Sequence, residues 1–301
     1  MSLPTPLPIE VRPQELEGRG PEARGRPSLI SKFRRDRVAM GALVLLALMI
    51  AVCIAAPLTA PYSPYATDPA HVLESPFSPG HLLGTDGEGR DILSRLIWGG
   101  RTSLLTGVSP VAIGLLVGGL LGMVAGYYGG IIKTFVMRAM DILLAFPAVL
   151  LAIAIAMTLG PGTAHVIIAL SVVLVPGVAR IAETATTTAC SQEYMEAARA
   201  SGARGWSIMR LQLTRNVASP PLAYSFSTIG PVIVFAAGLN YLGLGVQPPA
   251  AEWGSMLYNL QQSLLEVPLT SMMPGFPIAI AALLFDLIGN AVRDVLDPRQ
   301  V

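Results

Sequence analysis

Few ionisable side chains fall within the long apolar runs of this sequence, and Asp141 and Asp286 are the carboxylates best placed to do chemistry there. Charges held inside an apolar run are the usual marks of an ion or proton pathway. Arg138 precedes Asp141 by about one helical turn, which also suits a structural ion pair. We favour the structural role for both aspartates.

Two glycine-rich stretches resemble phosphate-binding loops at first sight. The stretch from Gly84 to Asp91 is not followed by Lys-Ser or Lys-Thr, and the stretch from Gly129 to Thr134 lacks a glycine directly before Lys133. Neither therefore meets the pattern of a nucleotide-binding loop. We expect the first to be a tight turn whose Asp and Arg side chains bind backbone groups. Its defining residues are Gly84, Thr85, Asp86, Gly89, Arg90 and Asp91.

The sequence shows none of the common catalytic or metal-binding patterns. A nucleophile elbow, a zinc-protease helix, paired intramembrane aspartates and a metal-ligand cluster are all missing. The cysteines, Cys53 and Cys190, are not placed for a disulfide. We therefore predict a chain with no catalytic residues, no bound metal and no cofactor of its own.

The stretch from Glu193 to Asn216 is the longest polar segment between two apolar runs in the second half of the chain. It predicts two short helices separated at Gly202, a residue that readily adopts a left-handed helix cap. An ordinary helical hairpin is one interpretation, and a docking surface for another protein is the other. The first helix aligns small residues on one face, while Glu193, Glu196 and Arg199 point elsewhere. That face comprises Tyr194, Ala197, Ala198 and Ser201.

The second helix of this segment is expected to be amphipathic. Trp206, Met209 and Leu213 fall on one side, and Arg204 and Arg210 are solvated.

The elements that must position these residues are membrane helices. The chain of 301 residues is 52% hydrophobic and 13% charged, with a mean hydropathy of +0.59. Such a composition is too apolar for an ordinary soluble domain and indicates an all-α polytopic membrane protein. The net charge of +1 gives no reason to expect a nucleic-acid partner.

Six transmembrane helices are predicted, preceded by a flexible tail. Residues 1–31 are rich in proline and charge. Residues 32–58 form a basic anchor and the first span, Val38 to Leu58, and residues 59–101 form an extracytoplasmic loop. Residues 102–301 hold the other five spans, near Ser103–Gly126, Ile142–Leu159, Ala164–Ala182, Leu222–Gly243 and Met273–Val292.

Basic residues set the orientation of these spans. They concentrate in the loops after the second and fourth spans and after the last span, so we predict that both termini and the loop from Glu183 to Pro220 are cytoplasmic. The segments Pro61–Gly89 and Gln247–Glu266 are then outside. In this topology Asp141 and Asp286 lie near the cytoplasmic ends of their helices.

Two further features concern packing. Glycines of the second span recur at spacings of four, which lets membrane helices approach closely. Trp253, which follows a glycine-rich helix exit, is expected to be an aromatic anchor at the membrane interface. The glycines are Gly107, Gly114, Gly118, Gly119, Gly122 and Gly126.

Several of these motifs together resemble the permease subunits of ABC importers. Glu196-Ala197-Ala198, three residues and then Gly202 is similar to the EAA coupling loop of that family, and Glu193-Tyr194 before it also fits. The GTDxxGRD pattern ending at Asp91 is typical of the dipeptide, oligopeptide and nickel importers. The stretch Leu242 to Gly254 and the end of the chain, with Arg293 and Asp294, resemble the same group.

The sequence departs from the family pattern at two places. Thr214-Arg215 stand before Asn216 where the family usually has an apolar residue and proline. In the last span the family commonly has Asn followed four residues later by Asp, whereas this chain has Asp286 and then Asn290.

The resemblance implies a type I ABC importer permease fold in which spans two to six form the core. It implies a homologous second permease, two ATPase subunits that bind ATP and magnesium, an extracytoplasmic solute-binding protein and contact with membrane lipid. The expected location is the bacterial or archaeal plasma membrane. The solute would be a peptide or a related small molecule, and the coupling loop at 193–216 would dock on an ATPase.

Two rivals come from other classes. A self-powered secondary carrier should show an inverted repeat and mid-membrane charges, and neither is found. A membrane-embedded enzyme should show a paired nucleophile and base in facing spans, and these are also missing.

Overall fold

The computed structural model describes residues 36–202 and 205–296, and their regular structure is helical apart from two isolated β-bridges. The predicted tail and the last residues of the C-terminal motif lie outside these ranges. The helices are α1 (Arg37–Ile54), α2 (Ala56–Thr59), α3 (Ile92–Tyr128), α4 (Gly130–Leu144), α5 (Ala148–Leu159), α6 (Thr163–Cys190), α7 (Glu193–Ala200), α8 (Gly205–Ile208), a π-helical turn (Met209–Leu213), α9 (Thr214–Val217), α10 (Ser219–Tyr241), α11 (Trp253–Leu260), a 3₁₀ turn (Gln261–Ser263), α12 (Pro268–Met272) and α13 (Gly275–Leu296).

Five stretches of the described residues are long and apolar enough to cross a membrane. They are α1, α3, α6, α10 and the continuous stretch of α12 and α13. A sixth candidate is the pair formed by α4 and α5, which meet at an angle of 91°. The fold class and the number of spans therefore agree with the sequence prediction when the bent pair is counted as one span.

Two predicted boundaries are wrong for clear physical reasons. Helix α3 begins at Ile92, inside the predicted loop 59–101, because the carboxylate of Asp91 accepts a hydrogen bond of 2.8 Å from the N–H of Ser94 and caps the helix. The predicted span Ile142–Leu159 is broken, because α4 ends at Leu144 and Pro147 stands at the start of α5. Proline disfavours helical geometry in the residue before it.

The packing of α3 against α6 depends on the glycines spaced by four. A Cβ atom at Gly118 would lie 2.6 Å from the carbonyl oxygen of Val175, and one at Gly122 would lie 2.2 Å from that of Ala179. The backbones therefore touch without side chains between them, as the spacing predicted. Gly119 differs, since a Cβ atom there would have no neighbour within 4 Å.

The remaining helices are arranged around this pair. Helix α10 packs on α3 and on α13, where Gly230 and Gly289 allow close approach to backbone carbonyls. Helix α1 lies on the outside of α13, with Leu46 packed in the cluster of Leu284 and Ile288. This places the first span outside the core formed by the other helices, as the resemblance implied.

Candidate functional site

Helix α7 has two faces with different environments. Met195 and Ala198 are buried, whereas Glu193, Tyr194, Glu196 and Ala197 are exposed. The predicted small-residue face is therefore corrected at Ala198, which is buried, whereas Tyr194, Ala197 and Ser201 are exposed. Ala198 faces the interior of this chain, and Ala197 stands on the outer face together with the acidic and aromatic side chains.

The inner face of α7 rests on the ends of the long helices. Met195 and Ala198 share one apolar cluster with the residues that follow the loop, and the cluster packs against α3 and α6. The loop 193–216 is thus fixed to α3 and α6 through the inner side of α7. The other buried members are Ile208, Met209, Leu213 and Val217, and the neighbours from α3 and α6 include Met123, Val124, Tyr127, Ala185 and Ala189.

Gly202 ends this segment in a left-handed conformation. Its φ is 78°, and no atom lies within 4 Å of the position a Cβ would take. The glycine is therefore required by the backbone angle and not by crowding. Just before it, the Ser201 hydroxyl donates to the carbonyl of Ala198 at 2.8 Å, which helps to close the helix end. The predicted left-handed cap is confirmed.

The exit from the loop is not a regular α-helix. Residues Met209–Leu213 form a π-helical turn, and the Thr214 hydroxyl donates to the Met209 carbonyl at 2.9 Å. Met209 and Leu213 are buried and Arg210 is exposed, as the amphipathic pattern predicted. The side chain of Trp206 lies outside the described structure. Threonine at the place of the family's apolar residue thus satisfies a carbonyl within the wider turn.

Asp141, one of the two aspartates considered for an ion pathway, lies beside two arginines. Arg180 of α6 donates to its carboxylate, and Arg138 lies 3.9 Å from it on the same helix. A second pair joins the same two helices, with Lys133 Nζ 2.6 Å from Glu183 Oε1. These contacts tie the outer helix α4 to α6, which agrees with the structural interpretation of Asp141.

Asp286 and Asn290 form a pair within α13. The Asn290 amide donates to the Asp286 carboxylate at 3.2 Å, with Asn290 exposed and Asp286 half-buried. The exchange of the two residue types relative to the family therefore keeps an amide–carboxylate pair one turn apart. Arg293 and Asp294 follow on the exposed end of the helix.

At the opposite end of α3, the turn from Gly84 to Asp91 is closed by its own charges. The Asp86 carboxylate accepts from the Arg90 guanidinium at 2.7 Å and from the backbone N–H groups of Glu88 and Arg90 at 2.9 and 3.0 Å. These N–H groups are the ones a phosphate loop would offer to an anion. The tight turn is therefore confirmed, with its N–H groups already bound by Asp86 of the same chain.

The glycines and the threonine of this turn hold it against residues 68–75. Gly84 and Gly89 have φ of 81° and 72°, and a Cβ at either would collide with the carbonyl oxygen of Glu74 or of Asp68. The buried Thr85 hydroxyl accepts from the N–H of Glu74 at 2.9 Å. Backbone angle and close contact therefore both demand glycine here.

Arg95 connects the segments around Pro64 and Pro249 and was not singled out as a site residue from the sequence. Its guanidinium is buried, donates to the carbonyls of Pro64 at 2.8 Å and Pro249 at 3.3 Å, and lies 3.5 Å from Asp86. The signal that could have revealed it was an arginine placed in the first turn after the capping Asp91 of a membrane helix.

Glu252 is the second residue that sequence reasoning passed over. It is fully buried, and its carboxylate accepts from the Ser103 hydroxyl at 2.7 Å and from the N–H of Ser255 at 2.9 Å. Burial raises the pKa of this carboxyl, and the hydrogen bonds from Ser103 and from the backbone oppose the rise. Glu252 thereby caps α11 and fixes it to α3.

Trp253 is part of the same arrangement, and its prediction as an interfacial anchor is wrong. The side chain is only 1% exposed, and its indole N–H donates to the carbonyl of Leu96 at 2.8 Å. The glycines at positions 99 and 100 leave room for the backbone and ring at 252–253. The aromatic residue is therefore a core element that joins α11 to α3.

Comparison with known proteins places this geometry in a family. Residues 118–301 match the model of the binding-protein-dependent transport system inner membrane component, and residues 29–76 match the N-terminal TM domain of oligopeptide transport permease C. The chain belongs to this family of importer permeases. It is the membrane-embedded permease subunit of an ABC importer, a class of transporter that works with an ATPase and a substrate-binding protein.

Named relatives of this permease extend over most of its length. It is 37% identical to the glutathione transport system permease protein GsiD of Pectobacterium atrosepticum over 269 residues, 89% of each chain. It is 38% identical to the di/tripeptide transport system permease protein DppC of Pseudomonas aeruginosa over 273 residues, 89% of this chain and 90% of the relative.

A solved structure supports the fold. A chain of the MetNI methionine ABC transporter, in an inward-facing form, aligns with a TM-score of 0.54 at 20% identity. The alignment covers 68% of this permease and 97% of that chain. The type I importer permease fold is therefore shown.

Proposed function

We propose that this permease forms part of the translocation path for small peptides or peptide-like solutes delivered by an extracytoplasmic solute-binding protein. The observation that carries the proposal is the two-faced helix α7. Its inner face is anchored on α3 and α6, while Glu193, Tyr194, Glu196 and Ala197 remain exposed on the outer face. Such a surface can receive force from a partner and pass it directly to membrane helices.

The energy source in this proposal lies on other chains. Two ATPase subunits bind ATP and magnesium, and each contacts the coupling segment of one permease. A homologous second permease completes the path and supplies the second coupling segment. The turn closed by Asp86 supports this division of labour, because its backbone N–H groups are used within the chain.

The proposed orientation follows the basic residues. Both termini and α7 are cytoplasmic, and the turn at Gly84 to Asp91 and helix α11 are outside, in a bacterial or archaeal plasma membrane. The ion pairs Lys133–Glu183 and Arg180–Asp141 join opposite ends of α4 to the C-terminal half of α6, on the side proposed to be cytoplasmic. Paired charges of this kind suit a structural role.

The peptide assignment rests on the relatives named for glutathione and di/tripeptide transport. Its test is uptake of radiolabelled dipeptide, tripeptide and glutathione by cells that carry or lack this permease. Loss of uptake of one of these solutes in the deletion strain, restored by the wild-type chain, is expected. Unchanged uptake of all three would contradict the substrate class.

The division of labour has its own test. The isolated permease, separated from all partner subunits, should neither bind nor hydrolyse ATP. When the permease is instead recovered from cells under mild conditions through its own tag, an ATPase should co-purify with it. Nucleotide binding at micromolar concentration by the isolated chain would contradict the proposal.

A further inference from the structure

A cavity opens beside the exit of the coupling loop, between α3, α6, the π-helical turn and the start of α10. Its volume is about 390 Å³, within the range of about 300–1,000 Å³ that small-molecule sites occupy. The wall on α3 is apolar and includes Leu116 and Leu120, which are 72% and 53% exposed. The cavity is therefore open to the side of the molecule.

Gly119 makes this opening possible. It lies on the same wall of α3, and no atom comes within 4 Å of the position its Cβ would take. At the neighbouring Gly118 and Gly122, the backbone of α6 occupies that space instead. The spacing of four explains the packing glycines, but it does not explain Gly119.

The lining of the cavity includes one cationic residue. Among the described residues that line it, Arg210 is the only charged one, and Thr214, whose hydroxyl donates to the Met209 carbonyl, lines it as well. Arg210 is exposed and forms no ion pair or hydrogen bond with the residues that the structure describes. A guanidinium beside apolar walls is suited to an anion, because it offers several donors in a fixed plane.

We propose that this cavity binds an anionic phospholipid, with an acyl chain along Leu116, Gly119 and Leu120 and the phosphate on Arg210. The inference rests on the proposed orientation, which places Arg210 at the cytoplasmic face. Basic pockets between membrane helices on the cytoplasmic side bind anionic lipid headgroups.

The chemistry of the walls favours a lipid over other occupants. A free phosphate would pair with Arg210 and leave the leucine wall uncovered. An apolar helix of a second permease would cover the leucines and leave the guanidinium without an anion. A phospholipid would cover the leucines with an acyl chain and pair its phosphate with Arg210. Because Met209 and Thr214 line the same cavity, the lipid would contact the turn through which the coupling loop joins α10.

The experiment measures phospholipid bound to the importer purified through a tag on this permease. Native mass spectrometry is performed after exchange into detergent and addition of phosphatidylglycerol, phosphatidylcholine or inorganic phosphate. The wild type should retain phosphatidylglycerol in preference to phosphatidylcholine. Gly119→Leu, which fills open space, should abolish that retention, and Arg210→Gln should weaken it by about fivefold, equivalent to the loss of one lipid-facing charge.

Matched controls separate the site from general surface charge. Gly119→Ala adds little volume, and Arg215→Gln removes an exposed charge that does not line the cavity. Both should bind phosphatidylglycerol as the wild type does. Three results would each overturn the proposal: wild-type retention by Gly119→Leu and Arg210→Gln, equal binding of phosphatidylcholine, or displacement of the lipid by inorganic phosphate.

A cross-linking arm addresses the rival occupant. A disulfide between Leu116→Cys and a cysteine of the second permease would show that protein covers the cavity, and it would overturn the lipid site. Failure of the proposed function is distinguishable, because it would appear as the absence of an ATPase from the wild-type preparation. That result does not depend on the lipid measurements.

Discussion

Gly202 is the residue of the loop 193–216 whose backbone conformation most restricts the residue type. Its φ of 78° favours glycine, and asparagine tolerates the same region better than other residues do. Gly202→Val should abolish solute uptake at normal membrane abundance, and Gly202→Asn should retain much of it. Uptake in cells, beside immunoblots of the membrane fraction, provides the measurement. Normal uptake by the valine variant would show that the left-handed turn is not needed for coupling.

The two alanines of the EAA pattern should respond differently to the same substitution. Ala197 is exposed, so Ala197→Trp should block recovery of the ATPase in pull-downs while the permease remains abundant. Ala198 is buried beside Met195, so Ala198→Trp should lower abundance through overpacking, which destabilises cores by about 1–3 kcal/mol.

Glu196→Ala removes an exposed charge on the same helix and should weaken uptake less than Ala197→Trp, since exposed ion pairs contribute about 0–1 kcal/mol. Pull-down and abundance are measured on all three variants together. An Ala197→Trp variant that binds the ATPase normally would remove α7 from the interface.

Glu252 makes a prediction about pH. Burial raises the folded-state pKa of this carboxyl above its value of about 4.3 in the unfolded chain. Its contribution to stability is therefore fully present below about pH 4.3 and is lost as pH rises through the higher folded-state pKa. The melting temperature of the wild type relative to Glu252→Gln should fall as pH increases from about 4.3. A difference that stays constant or grows with pH would contradict this account.

At the scale of helices, the contact between α3 and α6 offers a matched pair of substitutions. Gly122→Ala places a Cβ against the Ala179 carbonyl oxygen, at 2.2 Å before any movement, whereas Gly119→Ala meets open space. The first should destabilise the protein by about 1–3 kcal/mol, and the second should leave it unchanged. Thermal unfolding in detergent compares the two directly. Equal melting temperatures would show that α3 and α6 can move apart to accommodate the added methyl group without loss of stability.

The helices themselves could be predicted from the sequence because hydropathy and residue spacing are properties of a short stretch of chain. Apolar length fixes a membrane span, and the spacing of the glycines in α3 fixes which face approaches α6. The bend between α4 and α5 was missed because hydropathy continues across Pro147 although the backbone does not. The start of α3 was missed because its early turns contain Arg95 and Arg101, which lower the local hydropathy below that of a membrane span.

Side-chain partners distant in sequence could not be predicted in this way. The inner position of Ala198 depends on Met209 and Leu213, which reach α7 only through the π-helical turn. The burial of Trp253 depends on space left by Gly99 and Gly100, more than a hundred residues earlier in the chain. Helical periodicity describes one helix at a time, so it does not contain these contacts.

In the permease as a whole, contacts with other segments hold each end of α3 in place. At one end, Arg95 and Glu252 join the Asp86 turn and α11 to the first turns of that helix. At the other end, α7 rests on residues of α3 near Met123. One long helix thus connects the side proposed to face the solute-binding protein with the surface proposed for the ATPase.

This arrangement couples the two sides only if they face opposite compartments. Ser75 and Ala200 are both exposed, so a cysteine at either place is accessible to a reagent on its own side. In a background with Cys53 and Cys190 replaced, a membrane-impermeant maleimide added to intact cells should label Ser75→Cys strongly and Ala200→Cys only after the membrane is permeabilised. Labelling of each variant after permeabilisation measures all of its reactive cysteine. The signal from intact cells is divided by this value, which corrects for differences in abundance between the variants. Strong labelling at position 200 together with protection at position 75 would invert the topology and remove α7 from the reach of a cytoplasmic ATPase.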